Sequence, residues 1–212
     1  MEPLEVKAAS EAVIRRLGGG VCDWLPWLER SGPRDSASAA DRALVLHAML
    51  QLHFGAPTAM IAAWINRSGL THALSKRERQ ILSGGGGAIP ERDSADLYWY
   101  MEALWALVWA GQLVKDLPID HPVGEELVSL LPNLQLDQDG AAFRHSFRLR
   151  SRAELYSMLD LYYRAHWYAR DGQLGGYATG AFNPDIIMER RKALEWLNDD
   201  EVEDWDDTQT ST

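Results

Sequence analysis

The chain has 212 residues, with 21 Lys and Arg against 31 Asp and Glu, for a formal net charge of -10. Its 46% hydrophobic and 25% charged residues are ordinary for a globular protein and exclude disorder of the whole chain. Eight carboxylates (Glu195, Asp199, Asp200, Glu201, Glu203, Asp204, Asp206 and Asp207) follow the last basic residue, Lys192, so the acidity is one C-terminal segment on a nearly neutral body, which weighs against a general nucleic-acid binder.

The predicted elements are all helical. A first helix spans about 8–17 and stops at Gly18-Gly19-Gly20. Residues 21–35 form a connector in which Trp24, Leu25, Trp27 and Leu28 are expected to pack. A helix over about 37–53 presents Leu44, Met49 and Leu52 on its apolar side and breaks at Gly55. Another starts near Pro57 and ends at Gly69. Ser75 with Glu78 makes a capping box for a short helix through Leu82, and Gly84 to Gly87 is expected to be a flexible loop.

Asp93 or Ser94 caps the strongest element, a helix to Ala110 closed by Gly111. Leu97, Met101, Leu104, Trp105 and Val108 recur at helical spacing, and Trp99, Leu107 and Trp109 make the helix apolar nearly all round, which predicts a central position. After a connector over 113–122, Val123 to Leu131 reads as a short helix. The stretch 134–150 is ambiguous: Phe147 to Arg150 alternates like a strand, while 139–146 suits a short helix. A second capping box, Ser151 and Glu154, opens a long helix to about Asp171. Asn183-Pro184 starts the last helix, which runs to about Leu197. The expectation is one compact all-α domain over 1–212, with about eight to ten helices around the apolar helix 94–110.

The single cysteine, Cys22, excludes an intrachain disulfide and a multi-Cys zinc site and fits a reducing cytoplasm. The N-terminal segment has early acids and no apolar run, so no signal peptide is expected, and no apolar stretch is long enough to span a membrane. The sequence carries no nucleophile elbow, zincin, Walker or EF-hand motif, and no cofactor or metal is expected. His47 and His53 fall about 240° apart on a helix and cannot share a metal from one face.

Glu102 lies among apolar neighbours, and a lone buried carboxylate needs a cation or several N–H donors. On the long helix Asp160 and Arg164 are four apart, acid first, and His166 and Arg170 share the same spacing. Glu189 and Arg190 add charge to the last helix. One reading makes Glu102, Arg164, His166, Arg170 and Arg190 a buried polar network that fixes helix register. The other makes Glu102 and His166 an acid/base pair, since burial raises a carboxyl pKa. From Arg144 to Arg170 six arginines face only Glu154 and Asp160, which suits either a dock for the acidic tail or a patch for an anionic partner.

Four segments together resemble a known family. They are Trp99-Tyr100-Met101-Glu102-Ala103-Leu104-Trp105 with Trp109-Ala110-Gly111, then Asp160-Leu161-Tyr162-Tyr163-Arg164-Ala165-His166-Trp167 with Arg170-Asp171, then Glu189 to Leu197, and last Asp204-Trp205-Asp206-Asp207-Thr208-Gln209-Thr210. In order and spacing they are similar to an uncharacterised, mainly bacterial family, the domain of unknown function numbered 4272. The departures are Tyr100, where the family has Arg after the first Trp, and an ending of Thr210-Ser211-Thr212 rather than Thr-Asp-Thr. The resemblance implies an all-helical domain and brings no activity with it. A solvating tail has no use for a Trp, so Trp205 is expected to dock the 199–212 segment on the body while its flanking carboxylates, Asp206 and Asp207 among them, meet arginines. Three functions follow as expectations: a cytoplasmic helical domain that binds another macromolecule, an immunity or antitoxin-like protein that masks a basic toxin, or an enzyme using Glu102 and His166. A protein partner fits the first two; nucleic acid and membrane are not expected, and the oligomeric state is not legible.

Overall fold

The computed structural model describes residues 2–29, 32–84 and 89–211. Among them the secondary structure is helical throughout, with ten α-helices: α1 (Pro3–Arg16), α2 (Ser36–His53), α3 (Thr58–Arg67), α4 (Lys76–Ser83), α5 (Glu91–Tyr98), α6 (Tyr100–Ala110), α7 (Glu126–Leu130), α8 (Ala141–Ser146), α9 (Arg152–Gly175) and α10 (Pro184–Asn198). Three single 3-10 turns lie at Thr71–Ala73, Leu134–Leu136 and Trp205–Asp207. No helix among the described residues is long and apolar enough to cross a membrane.

The helices pack in succession, α1 on α9, α9 on α10, α10 on α6, and α6 on α2. α6 is the buried centre, with all its residues except Met101 enclosed. α2 is a second central helix, because Ala39, Ala40, Ala43 and Ala48 let neighbours approach faces that leucines alone would not cover. Its burial therefore reaches well beyond the Leu44, Met49 and Leu52 side seen in its periodicity.

Capping side chains place half of the ten helix starts. Ser75 and Ser151 each accept a hydrogen bond from a glutamate N–H three residues on, and the glutamate side chain returns to the cap N–H. Asn183 caps α10 ahead of Pro184. Four boundaries differ from the sequence reading. α1 begins at Pro3, under a Glu2–Glu5 capping box, rather than at residue 8. α7 begins at Glu126 rather than Val123. α9 continues to Gly175, where Gly176 in the left-handed region closes it. The expected helix 94–110 is two: α5 starts after Pro90, and the chain tightens at Trp99, whose carbonyl accepts from Glu102 N–H three residues on. Trp24 and Trp27, expected to pack, are exposed, and only Leu25 of that connector's large apolar side chains is fully buried. Of the Gly84–Gly87 loop, all but Gly84 lies outside the described residues.

The ambiguous stretch resolves into α8 followed by an extended segment over 147–150. That segment satisfies the C-terminal carbonyls of α6. Arg148 N–H donates to Gly111 O and Arg150 N–H to Ala110 O, while the Arg150 guanidinium donates to Trp109 O and Val114 O. The close approach requires a glycine at 111, since a Cβ there would lie 2.3 Å from the Phe147 ring. Gly111→Ala is therefore expected to lower unfolding free energy by about 1–3 kcal/mol, read by urea denaturation. Unchanged stability would show that Phe147 has room to yield.

Candidate binding surface and the buried polar clusters

The polar residues singled out in the sequence are distributed over separate clusters rather than one. Glu102 on α6 meets Arg190 on α10, with Oε2 2.7 Å from the guanidinium and both side chains buried. Its other oxygen accepts from Val123 N–H. Arg190 spends its remaining donors on Pro118 O, His121 O at 2.9 Å and the Tyr162 hydroxyl at 3.1 Å. The charge is thus paired and the connector 117–123 is tied to both helices.

Asp160 and Arg164, one turn apart on α9, make a bidentate pair with both bonds at 2.9 Å, and both are buried. Arg164 also donates to Pro26 O at 3.0 Å. His166 bonds to neither Glu102 nor Arg164. Its Nδ1 accepts from Arg191 at 2.9 Å, which fixes the neutral tautomer with the proton on Nε2. Arg191 further pairs with Glu195 at 3.0 Å and donates to the carbonyls of Thr210 and Ser211. Arg170 stays at the surface, bonded to Gln173. Glu102 and His166 are therefore each engaged by a different arginine of α10, and Arg170 is outside the buried clusters. Glu189 is half-buried near Lys192; desolvation pushes its carboxyl up to about 7 and lowers the Lys192 ammonium.

The C-terminal segment runs back over α2, α4 and α10. Arg34 donates to Trp196 O, Asp199 O and Val202 O. Trp205 is buried edge-on to Trp196, with the Arg42 guanidinium 4.7 Å and the Lys192 ammonium 5.1 Å from its ring. Arg42 itself is held by a buried pair with Glu78. The flanking carboxylates meet the start of α4 rather than arginine side chains: Asp204 accepts from Lys76 N–H, Asp206 from Arg77 N–H, and Asp207 pairs with Lys76 Nζ. The first two donors are orphan N–H groups of a helix N-terminus, where the dipole favours anions. The arginine-rich run instead caps α6 through Arg150 and meets Asp41 through Arg144 at 2.6 Å.

One surface was missed by helical patterning, because it lies on a connector. Trp24 is 78% and Trp27 53% exposed, and Trp24 meets half-buried Trp167 edge-on at 6.3 Å. The backbone beneath them is fastened by side chains of α1 and α9. Lys7 Nζ donates to Asp23 O and Leu25 O at 2.8 Å each, Arg164 donates to Pro26 O, and the Tyr156 hydroxyl to Leu28 O at 2.8 Å. Cys22, Leu25 and Tyr163 form a small buried cluster under the same loop. Asp23 and Glu29 are exposed within it. Among the described residues, no three His, Cys, Asp or Glu side chains come together as a metal site.

Residues 6–208 match a family model described as Domain of unknown function (DUF4272). The chain belongs to the DUF4272 family. The match runs from α1 through Thr208 and so takes in Glu102, Arg190 and the Trp205 segment. It brings no activity, and no curated protein and no solved structure matches the chain.

Burial, with Arg191 and Arg170 nearby, lowers the His166 pKa to about 4, and burial lowers that of His47 to about 4 as well. Unfolded histidines take up protons from about pH 6.5 downward, so the stability these two contribute is whole above that and drains as pH falls towards 4. His166→Asn keeps an acceptor for Arg191 but cannot titrate. The drop in melting temperature between pH 7 and 4.5 is expected to be smaller in this variant than in the parent; an equal drop would contradict the assignment.

Proposed function

We propose that this DUF4272 protein is a non-enzymatic binding domain of a bacterial cytoplasm, and that it docks a partner protein on the Trp24–Trp27 loop and Trp167. The observation that carries the reading is the pair of exposed indoles on a fastened backbone. Trp is the residue type most enriched at energetic centres of interfaces. A loop already held in place loses little freedom on binding, so more of the contact energy appears as affinity. Asp23 and Glu29 at the rim favour a partner with basic side chains around an apolar pocket, and they disfavour nucleic acid or an anionic membrane. The same acidic rim also supports a second reading, an immunity-type protein masking a basic toxin. The engagement of Glu102 and His166 by separate arginines supports structural roles for both. A cytoplasmic location rests on the lone Cys22.

The test is capture from the native host by the wild type and by Trp24→Ala/Trp27→Ala in parallel, followed by calorimetry with the purified partner. Both side chains are exposed, so the double variant keeps its melting temperature and loses affinity by at least about 100-fold, as expected for removing two anchors at 1–2 kcal/mol or more each. Equal affinity for the same partner would overturn the reading. Capture of a small basic toxin would select the immunity form of it.

A further inference from the structure

A second feature lies away from the tryptophan loop and shares no residue with it. A cleft of about 400 Å³ opens between α2, the corner formed by the Thr71–Ala73 turn and the start of α4, and the returning C-terminal segment. Its size falls within the range of small-molecule sites. Arg42, Arg79, Lys76 and Trp205 are among its walls.

Two buried groups on this wall lack a hydrogen-bond partner: Arg42 Nε and Trp205 Nε1. Both belong to side chains almost wholly enclosed, and buried N–H groups are rarely left without an acceptor. Both are donors only, since a guanidinium stays charged and an indole nitrogen has no lone pair to offer. Their side chains are stacked against each other, with Arg42 4.7 Å from the Trp205 ring. What each of them lacks is therefore an acceptor. The charges agree. Asp204 and Asp207 of the cleft are already bonded to the start of α4, and the third carboxylate of its lining, exposed Glu203, is outnumbered by Arg34 and Arg79. Arg79 is exposed there and makes no ion pair among the described residues.

We propose that this cleft binds a small oxyanion, a carboxylate or a phosphate, through Arg42 Nε, Trp205 Nε1 and Arg79. Neither donor atom is open to solvent in the closed cleft, so the proposed oxyanion reaches them only as the 203–208 segment eases outward. Binding thus competes with the contacts that hold Asp204 and Asp206 on α4, and the acidic segment becomes the ligand-responsive part of the fold.

The chain holds nine tryptophans, so the experiment follows their indole N–H signals by 15N NMR. The Trp205 signal is assigned by its loss in Trp205→Phe, which keeps an aromatic ring. Inorganic phosphate and citrate are titrated separately into the full chain, with sodium chloride matched in ionic strength. The expected result is a saturable shift of the Trp205 signal with one of the two probes. Calorimetry then shows affinity for that probe reduced about fivefold in Trp205→Phe and in Arg79→Ala, the size of one lost hydrogen bond or charge contact. A response to phosphate alone identifies a phosphate site, and to citrate alone a carboxylate site. A stationary Trp205 signal with both probes, a shift that sodium chloride reproduces, or unchanged affinity in both variants overturns the proposal. Arg79 is exposed, so its variant remains informative if Trp205→Phe folds poorly.

Discussion

Arginine side chains that donate to backbone carbonyls hold the irregular parts of this chain on its helices. Arg34 collects the carbonyl of Trp196 near the end of α10 and those of Asp199 and Val202 in the segment that leaves it. Arg150 closes the end of α6, Arg164 holds the tryptophan loop, Arg190 holds the 117–123 connector, and Arg191 holds Thr210 and Ser211. A connector has no ladder or helix to absorb its own carbonyls, and burying them unpaired is costly. The guanidinium suits the task because its planar fork offers five donors and stays charged. In four of the five cases an acidic partner also fixes the arginine: Glu154 beside Arg150, Asp160 beside Arg164, Glu102 beside Arg190 and Glu195 beside Arg191. The carboxylates orient donors whose other ends do the tethering.

This division of labour explains the separation of the polar clusters. α10 carries Arg190 and Arg191 in succession, about 100° apart around the helix, so the two reach different neighbours. One faces α6 and meets Glu102; the other faces α9 and meets His166. The acidic segment continues the pattern with the signs exchanged. There carboxylates meet the N–H groups at the start of α4, while Trp205 covers the Arg42–Glu78 pair and shields it from water.

The all-helical fold was legible because the signals were local. Apolar spacing over 97–108 and the boxes Ser75–Glu78 and Ser151–Glu154 each lie within a few residues. The α5–α6 break was hidden, because Trp99 keeps helical angles and only the hydrogen-bond step changes. The need of Glu102 for a cation was legible from its neighbours, but the choice of Arg190, 88 positions on, depends on how α10 crosses α6. Trp24 and Trp27 misled for a plain reason. Indoles favour burial on average, and nothing in the local pattern shows that Lys7, Tyr156 and Arg164 hold the backbone rather than the rings. The unpartnered donors of Arg42 and Trp205 arise only when residues 163 positions apart are stacked, so no spacing in the sequence announces them.

The most direct measurement of the tethering account is Arg190→Lys, followed by urea unfolding and by hydrogen exchange along the chain. Lysine keeps a positive charge beside Glu102 and loses the fork. The account predicts a loss of about 3 kcal/mol or more in unfolding free energy, with the earliest increase in exchange at residues 117–123. Wild-type stability with unaltered exchange in that connector would contradict it, and would mean that charge alone, without the carbonyl bonds, holds the segment in place.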